Sequence, residues 1–170
     1  MVSMKLKEKV HVISEVVDLV SAYFGIDPVV EICVARFSDG DENEAYAYEV
    51  DKGFYELEFN RDFIKAGKLE DIIKTAAHEM VHVKQYMIDG LDMPADSPTL
   101  FRGEKYKGEY WFAPWEVEAR GYEEAFLQHY LYWATESHEK IKKVAKRITI
   151  TKKVLDTTAF TAYNNVSKVD

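Results

Sequence analysis

Two histidines at positions 78 and 82, with a glutamate between them, constrain this chain more than any other feature. They form His78-Glu79-Met80-Val81-His82, inside a segment whose apolar residues Ile73, Ala76, Met80, Val83 and Met87 recur mostly at three- and four-residue steps. That periodicity predicts one amphipathic helix over about 69–88. Glu70 and Asp71 in its first turn suit the positive end of the helix dipole. Residues four apart share a helical face, with Cβ atoms about 5–6 Å apart. Both imidazoles therefore point the same way, off the apolar stripe, and core packing does not account for them.

Around this helix the pattern is α+β. Val10, Ile13, Val16, Val17, Val20 and Tyr23 predict an N-terminal helix over about 5–23, stopped by Gly25, Asp27 and Pro28. Three strand-like runs follow, at 29–37, 45–50 and 54–59. Ser38-Asp39-Gly40-Asp41 and Asp51-Lys52-Gly53 separate them, which predicts a small antiparallel meander. Beyond the histidine helix, 89–110 is a loop with one candidate strand at 100–106. A second long helix begins near Pro114, with an apolar stripe of Trp115, Ala119, Tyr122, Phe126, Tyr130 and Trp133. No repeat or linker divides the chain, so the expectation is one domain over 1–157 and a loosely held tail over 158–170.

Bulk properties narrow the setting. Cys33, the one cysteine, cannot form an internal disulfide, and its apolar surroundings at 29–34 predict a buried structural thiol. No stretch approaches about 18 uninterrupted apolar residues, and the N-terminus lacks the pattern of a secretory signal, so a cytoplasmic address is expected. The net charge is −8, yet residues 138–153 hold seven Lys or Arg and one Glu, a local +6 that leaves −14 elsewhere. An acidic body repels phosphate backbones. Nucleic acid is therefore an unfavoured partner, with Lys140 to Lys153 the one place where it can dock.

Two imidazoles at a four-residue spacing can converge on one ion, and zinc is the metal whose ligand set this suits. Glu79 projects about 100° round the helix from His78, beside the ion, where it can take a proton from a water there. Catalytic zinc normally has three protein ligands. Pro114-Trp115-Glu116-Val117-Glu118-Ala119-Arg120 offers two carboxylates for the third place. They diverge by roughly 160°, and each lies roughly 80° from the apolar stripe, so helical geometry leaves Glu116 and Glu118 equivalent. His129, on the edge of that stripe, is a further alternative ligand. Arg102, Tyr106 and Tyr110 are candidates for contacts to substrate or to an oxyanion.

His78-Glu79-x-x-His82 followed by Glu116-x-Glu118-Ala119 resembles the gluzincin metallopeptidases. More narrowly, Phe101-Arg102-Gly103-Glu104-x-Tyr106 leading into Pro114-Trp115-Glu116-Val117-Glu118-Ala119 resembles small metallopeptidases often encoded by bacteriophages, with SprT-like proteases as looser relatives. The resemblance spans about 70–125. It implies a minimal zincin-like domain, one zinc per chain, Glu116 as third ligand, Glu79 as general base, a peptide or protein substrate, and a host cytoplasm if the chain is phage-encoded. The family's later Asp, which supports a ligand histidine, is replaced by Arg120. The expected activity is peptide-bond hydrolysis, with 100–106 as an edge strand for an extended substrate. The rival expectations are a zinc-binding regulatory protein without turnover, and a DNA-associated protease or adaptor using 138–153.

Overall fold

The computed structural model describes residues 4–94 and 97–137. The chain forms two compact units, Met1–Tyr130 and Leu131–Asp170. Of the second, residues 131–137 are described and are helical; there Tyr132 donates to Glu136, and Thr135 Oγ1 to the Leu131 carbonyl. The basic segment 138–153 and the tail 158–170 lie outside the described residues. No helix among the described residues is long and apolar enough to cross a membrane.

The first unit is a mixed α+β fold. Helix α1, Leu6–Phe24, ends where Gly25 takes a left-handed φ of 66° that a residue with Cβ rarely adopts. It buries Val12, Ile13, Val16 and Val20. Strands β1 (Val29–Ala35), β2 (Ala45–Asp51) and β3 (Phe54–Asn60) form one sheet in the order β1-β3-β2. β2 and β3 are antiparallel across the Lys52-Gly53 turn, whereas β1 pairs with β3 in parallel. The expected antiparallel meander is therefore wrong on one side. The 51–53 turn is tight enough to make its strands neighbours. The longer 36–44 connection carries the chain to the far edge, and β3 slots between. β3 takes the centre because it alternates most regularly: Tyr55, Leu57 and Phe59 are all buried.

Cys33 also differs from expectation. It is half-buried on the edge strand β1, opposite Glu58, and burial together with Glu56 pushes its thiol above the ordinary value. A thiol held protonated is a poor nucleophile.

A short helix that the apolar pattern does not announce, α2 (Arg61–Ala66), follows β3. Asn60 caps it by accepting from the Asp62 backbone N–H, and the buried Lys9 donates to the carbonyls of Ile64, Lys65 and Gly67 at its end. The histidine helix α3, Leu69–Lys84, then packs against both α1 and β2. Its last turn widens into a π-helical segment, Gln85–Asp89, ended by Gly90 at φ 65°.

The loop beyond bends the expected strand at 100–106 back on itself. β4 (Leu100–Phe101) and β5 (Glu104–Lys105) form a two-pair hairpin through Arg102 and Gly103, both at positive φ, as a primed two-residue turn requires. Phe101 joins Leu91, Ala113 and Trp115 in a small separate core. Helix α4 begins at 114 and buries Trp115, Ala119, Phe126 and Tyr130 from the predicted stripe, while Tyr122 is half-buried.

Replacing Leu57 with Ala should leave a cavity at the fully buried centre of the sheet. Urea denaturation is expected to show a loss of about 2–5 kcal/mol.

Candidate metal centre

α3 has almost no solvent face over its second half. Ala76, Ala77, Glu79, Met80, Val81, His82, Val83 and Lys84 are all buried, because α1, the sheet and α4 surround it. The polar side chains in that stretch must find partners inside the protein, and their partners define the site.

His78 and His82 place their Nε2 atoms 3.1 Å apart. The Glu116 carboxylate, delivered by the first turns of α4, brings Oε2 to 3.4 Å from His78 Nε2 and Oε1 to 3.3 Å from His82 Nε2. These three residues form a group that can hold a metal ion. Four ligands at about 2.0–2.1 Å around a tetrahedral ion stand about 3.3–3.4 Å from one another; the two nitrogen–oxygen distances match that spacing, each to a different oxygen of Glu116, and the two nitrogens are slightly closer.

The opposite sides of the two rings say which nitrogen is bare. His78 Nδ1 lies 2.9 Å from Glu123 Oε1, and a carboxylate at that distance accepts, so Nδ1 carries the proton. His82 Nδ1 lies 2.8 Å from Gln85 Oε1. The orientation of the Gln85 amide is fixed, because its Nε2 donates to the Trp115 carbonyl and to Glu118. His82 Nδ1 is therefore a donor too. Two lone pairs and a carboxylate then face one another, and Glu116 Oε1 is buried without a hydrogen-bond partner. Such a cluster of acceptors demands a positive charge, a proton or a metal ion.

The ionisation of these groups reflects the same demand. Burial lowers the pKa of His78, but the Glu116 and Glu123 carboxylates outweigh it and push it up to about 10. Burial favours the neutral form of Glu116, yet His78, His82 and Tyr110 hold it well below the usual carboxylate range. Glu79 is 7% exposed and does not join the ligand group. Its burial raises the carboxyl above the ordinary value, against the pull of both histidines.

Of the other candidates, Tyr110 alone is near the site. Its side chain is largely exposed, but burial and the neighbouring Glu116 carboxylate push its hydroxyl well above the ordinary tyrosine value. Tyr106 donates to the Glu109 carbonyl and packs edge-on against Trp115. Glu118 accepts from Lys84, Gln85 and Arg102, and Arg102 also pairs with Asp89. Glu118 and Arg102 thus tie the hairpin to α3 and α4 and stand apart from the ligand group. His129 is exposed, with its ring edge-on to Tyr23 at 6.4 Å.

The apolar pattern does not reveal Glu123 or Gln85, although spacing holds a signal for both. Glu123 is seven residues after Glu116, two turns on and on nearly the same face. Gln85 is three after His82, within reach of the same turn. Comparison with known proteins adds nothing to this geometry, since no family model, no curated protein and no solved structure matches the chain.

Ligand loss and loss of an orienting partner should separate by magnitude. Glu116→Ala is expected to weaken metal binding by far more than the roughly 10–100-fold typical of an outer partner, whereas Glu123→Gln and Gln85→Leu should fall within that range. Glu118→Ala should cost no more than they do. Chelator competition on the purified variants measures all four.

Proposed function

We propose that the chain is a zinc-dependent peptidase. The observation that carries this reading is the pairing of a three-acceptor cluster, spaced for a tetrahedral ion, with a buried glutamate next to one of its histidines in sequence. His78, His82 and Glu116 would hold the zinc. Bound there, zinc would bring the pKa of a water down to about 7 and polarise a carbonyl.

The rest is the work of the chain's own residues. Glu79 accepts the proton of the attacking water and returns it to the departing amine. Its burial supports that role, since a carboxyl shifted upward is a stronger base than an exposed one. The Tyr110 hydroxyl, beside the Glu116 carboxylate, is the group best placed to donate to an oxyanion, and its raised pKa keeps it protonated. Arg102 and Tyr106 are engaged elsewhere.

The rival reading of a zinc protein without turnover draws on Arg120 in place of a supporting Asp. Glu123 occupies that supporting role for His78, which removes the main argument for it and favours the peptidase. Hydrolysis through an extended peptide on 100–106 is not part of the proposal, because that segment is already a hairpin.

Two measurements test the reading. Metal analysis of the purified chain should return one zinc, and His78→Ala and His82→Ala should each abolish stoichiometric binding. A full equivalent retained by both would remove the site. Glu79→Gln should keep its zinc and lose peptide cleavage by about 10²–10⁴-fold in a library screen; normal turnover in that variant would exclude Glu79 as the base.

A further inference from the structure

Arg120 is one helical turn beyond Glu116, on the same face of α4. Its guanidinium makes three contacts at once. Nη1 stands 3.5 Å from Glu116 Oε2, Nη2 donates to the Trp111 carbonyl, and the cation stacks 4.1 Å from the centre of the Trp111 ring. The residues it reaches form a single turn of 3-10 helix, Tyr110–Phe112, whose three aromatic side chains are 62%, 64% and 66% exposed. Phe112 N–H donates to the Glu109 carbonyl and Ala113 N–H to the Tyr110 carbonyl, and the Ala113 carbonyl accepts from Val117 N–H, so the turn leads straight into the start of α4.

We propose that Arg120 is a positioning residue that latches the aromatic turn Tyr110–Phe112 to Glu116, so that an ion arriving at Glu116 is felt at Trp111. The planar fork of arginine suits this task, since two of its nitrogens donate in different directions while its face stacks on a ring. A lysine ammonium keeps the charge but cannot do all three. The coupling follows from electrostatics. A divalent ion on Glu116 draws the carboxylate's charge away from Arg120 and repels the guanidinium, which shifts the balance of the latch toward its Trp111 end. Linkage makes the effect mutual: whatever frees the turn changes the hold on the ion by the same factor. The coupling rests on the zinc reading; the latch itself does not.

The experiment isolates Trp111 by subtracting the emission of a Trp111→Phe chain and reads its quenching by acrylamide, with and without one equivalent of zinc. In metal-free protein, Arg120→Lys and Arg120→Met should both make Trp111 more quenchable, by up to about 1.5-fold, since loss of the stacked cation uncovers a ring that is already 64% exposed. Quenching equal to the parent in either variant overturns the latch; in Arg120→Lys it would mean that charge alone suffices. Zinc should alter Trp111 quenching in the parent and leave it unchanged in both variants, with one zinc still bound in each. A parent without that response, or variants that share it, overturns the coupling. A parent that takes up no zinc defeats the metal reading, while the metal-free comparison still judges the latch.

Discussion

Two imidazole nitrogens 3.1 Å apart, each within about 3.4 Å of one oxygen of the same carboxylate, repel that carboxylate and one another unless a positive charge lies among them. The polar contacts between α3 and α4 hold that arrangement together. Each ligand is braced across the interface of α3 and α4. His78, on α3, is oriented by Glu123 on α4. His82 is oriented by Gln85, which is in turn anchored to the Trp115 carbonyl on α4. Glu116, on α4, faces both histidines. Neither helix can slide along the other without breaking contacts on both sides of the site.

The region behind the ligands is equally committed. Lys84 is buried on α3 among Asp89 and Glu118, and Arg102 closes the same network from the hairpin. The network balances its charges locally: Lys84 and Arg102 outweigh burial to hold Asp89 below its usual range, and Gln85 and Lys84 lead the groups that do the same for Glu118. The π-helical turn is central to this arrangement. By widening the helix after Lys84 it turns Gln85 inward, wholly buried, under the histidines. Such widened turns are frequent at functional sites.

Some of this was legible in the sequence and some was not, for physical reasons. The histidine helix follows from periodicity, and the four-residue spacing of His78 and His82 fixes a shared face wherever the helix packs. Glu116 and Glu118 could not be told apart by helical angle. What separates them is who else is nearby: Lys84, Gln85 and Arg102 come from other elements and capture Glu118, leaving Glu116 to the histidines. That is tertiary information. The sheet order was hidden for a related reason. Turn residues show that a chain reverses, and tight turns such as 51–53 also name the neighbour, but a nine-residue connection such as 36–44 does not. Helix α2 is too short for periodicity to register, although Asn60 before Asp62 was a cap signal in plain view.

The parallel pairing of β1 with β3 bears on how the chain reaches this state. Val29 aligns with Phe54 and Ala35 with Asn60, so the ladder closes loops of about twenty-five residues, whereas β2 and β3 meet across two. Closing the longer loop costs more entropy before any contact rewards it. The β2–β3 ribbon is thus the inexpensive first step, and β1 a late addition to its outer edge. α1 lies upstream of β1 and packs on α3, so its docking belongs with that slower closure. On loop entropy alone, the surface on which the histidine helix rests is favoured to assemble outward from the β2–β3 ribbon, with β1 and α1 joining across the longer loops.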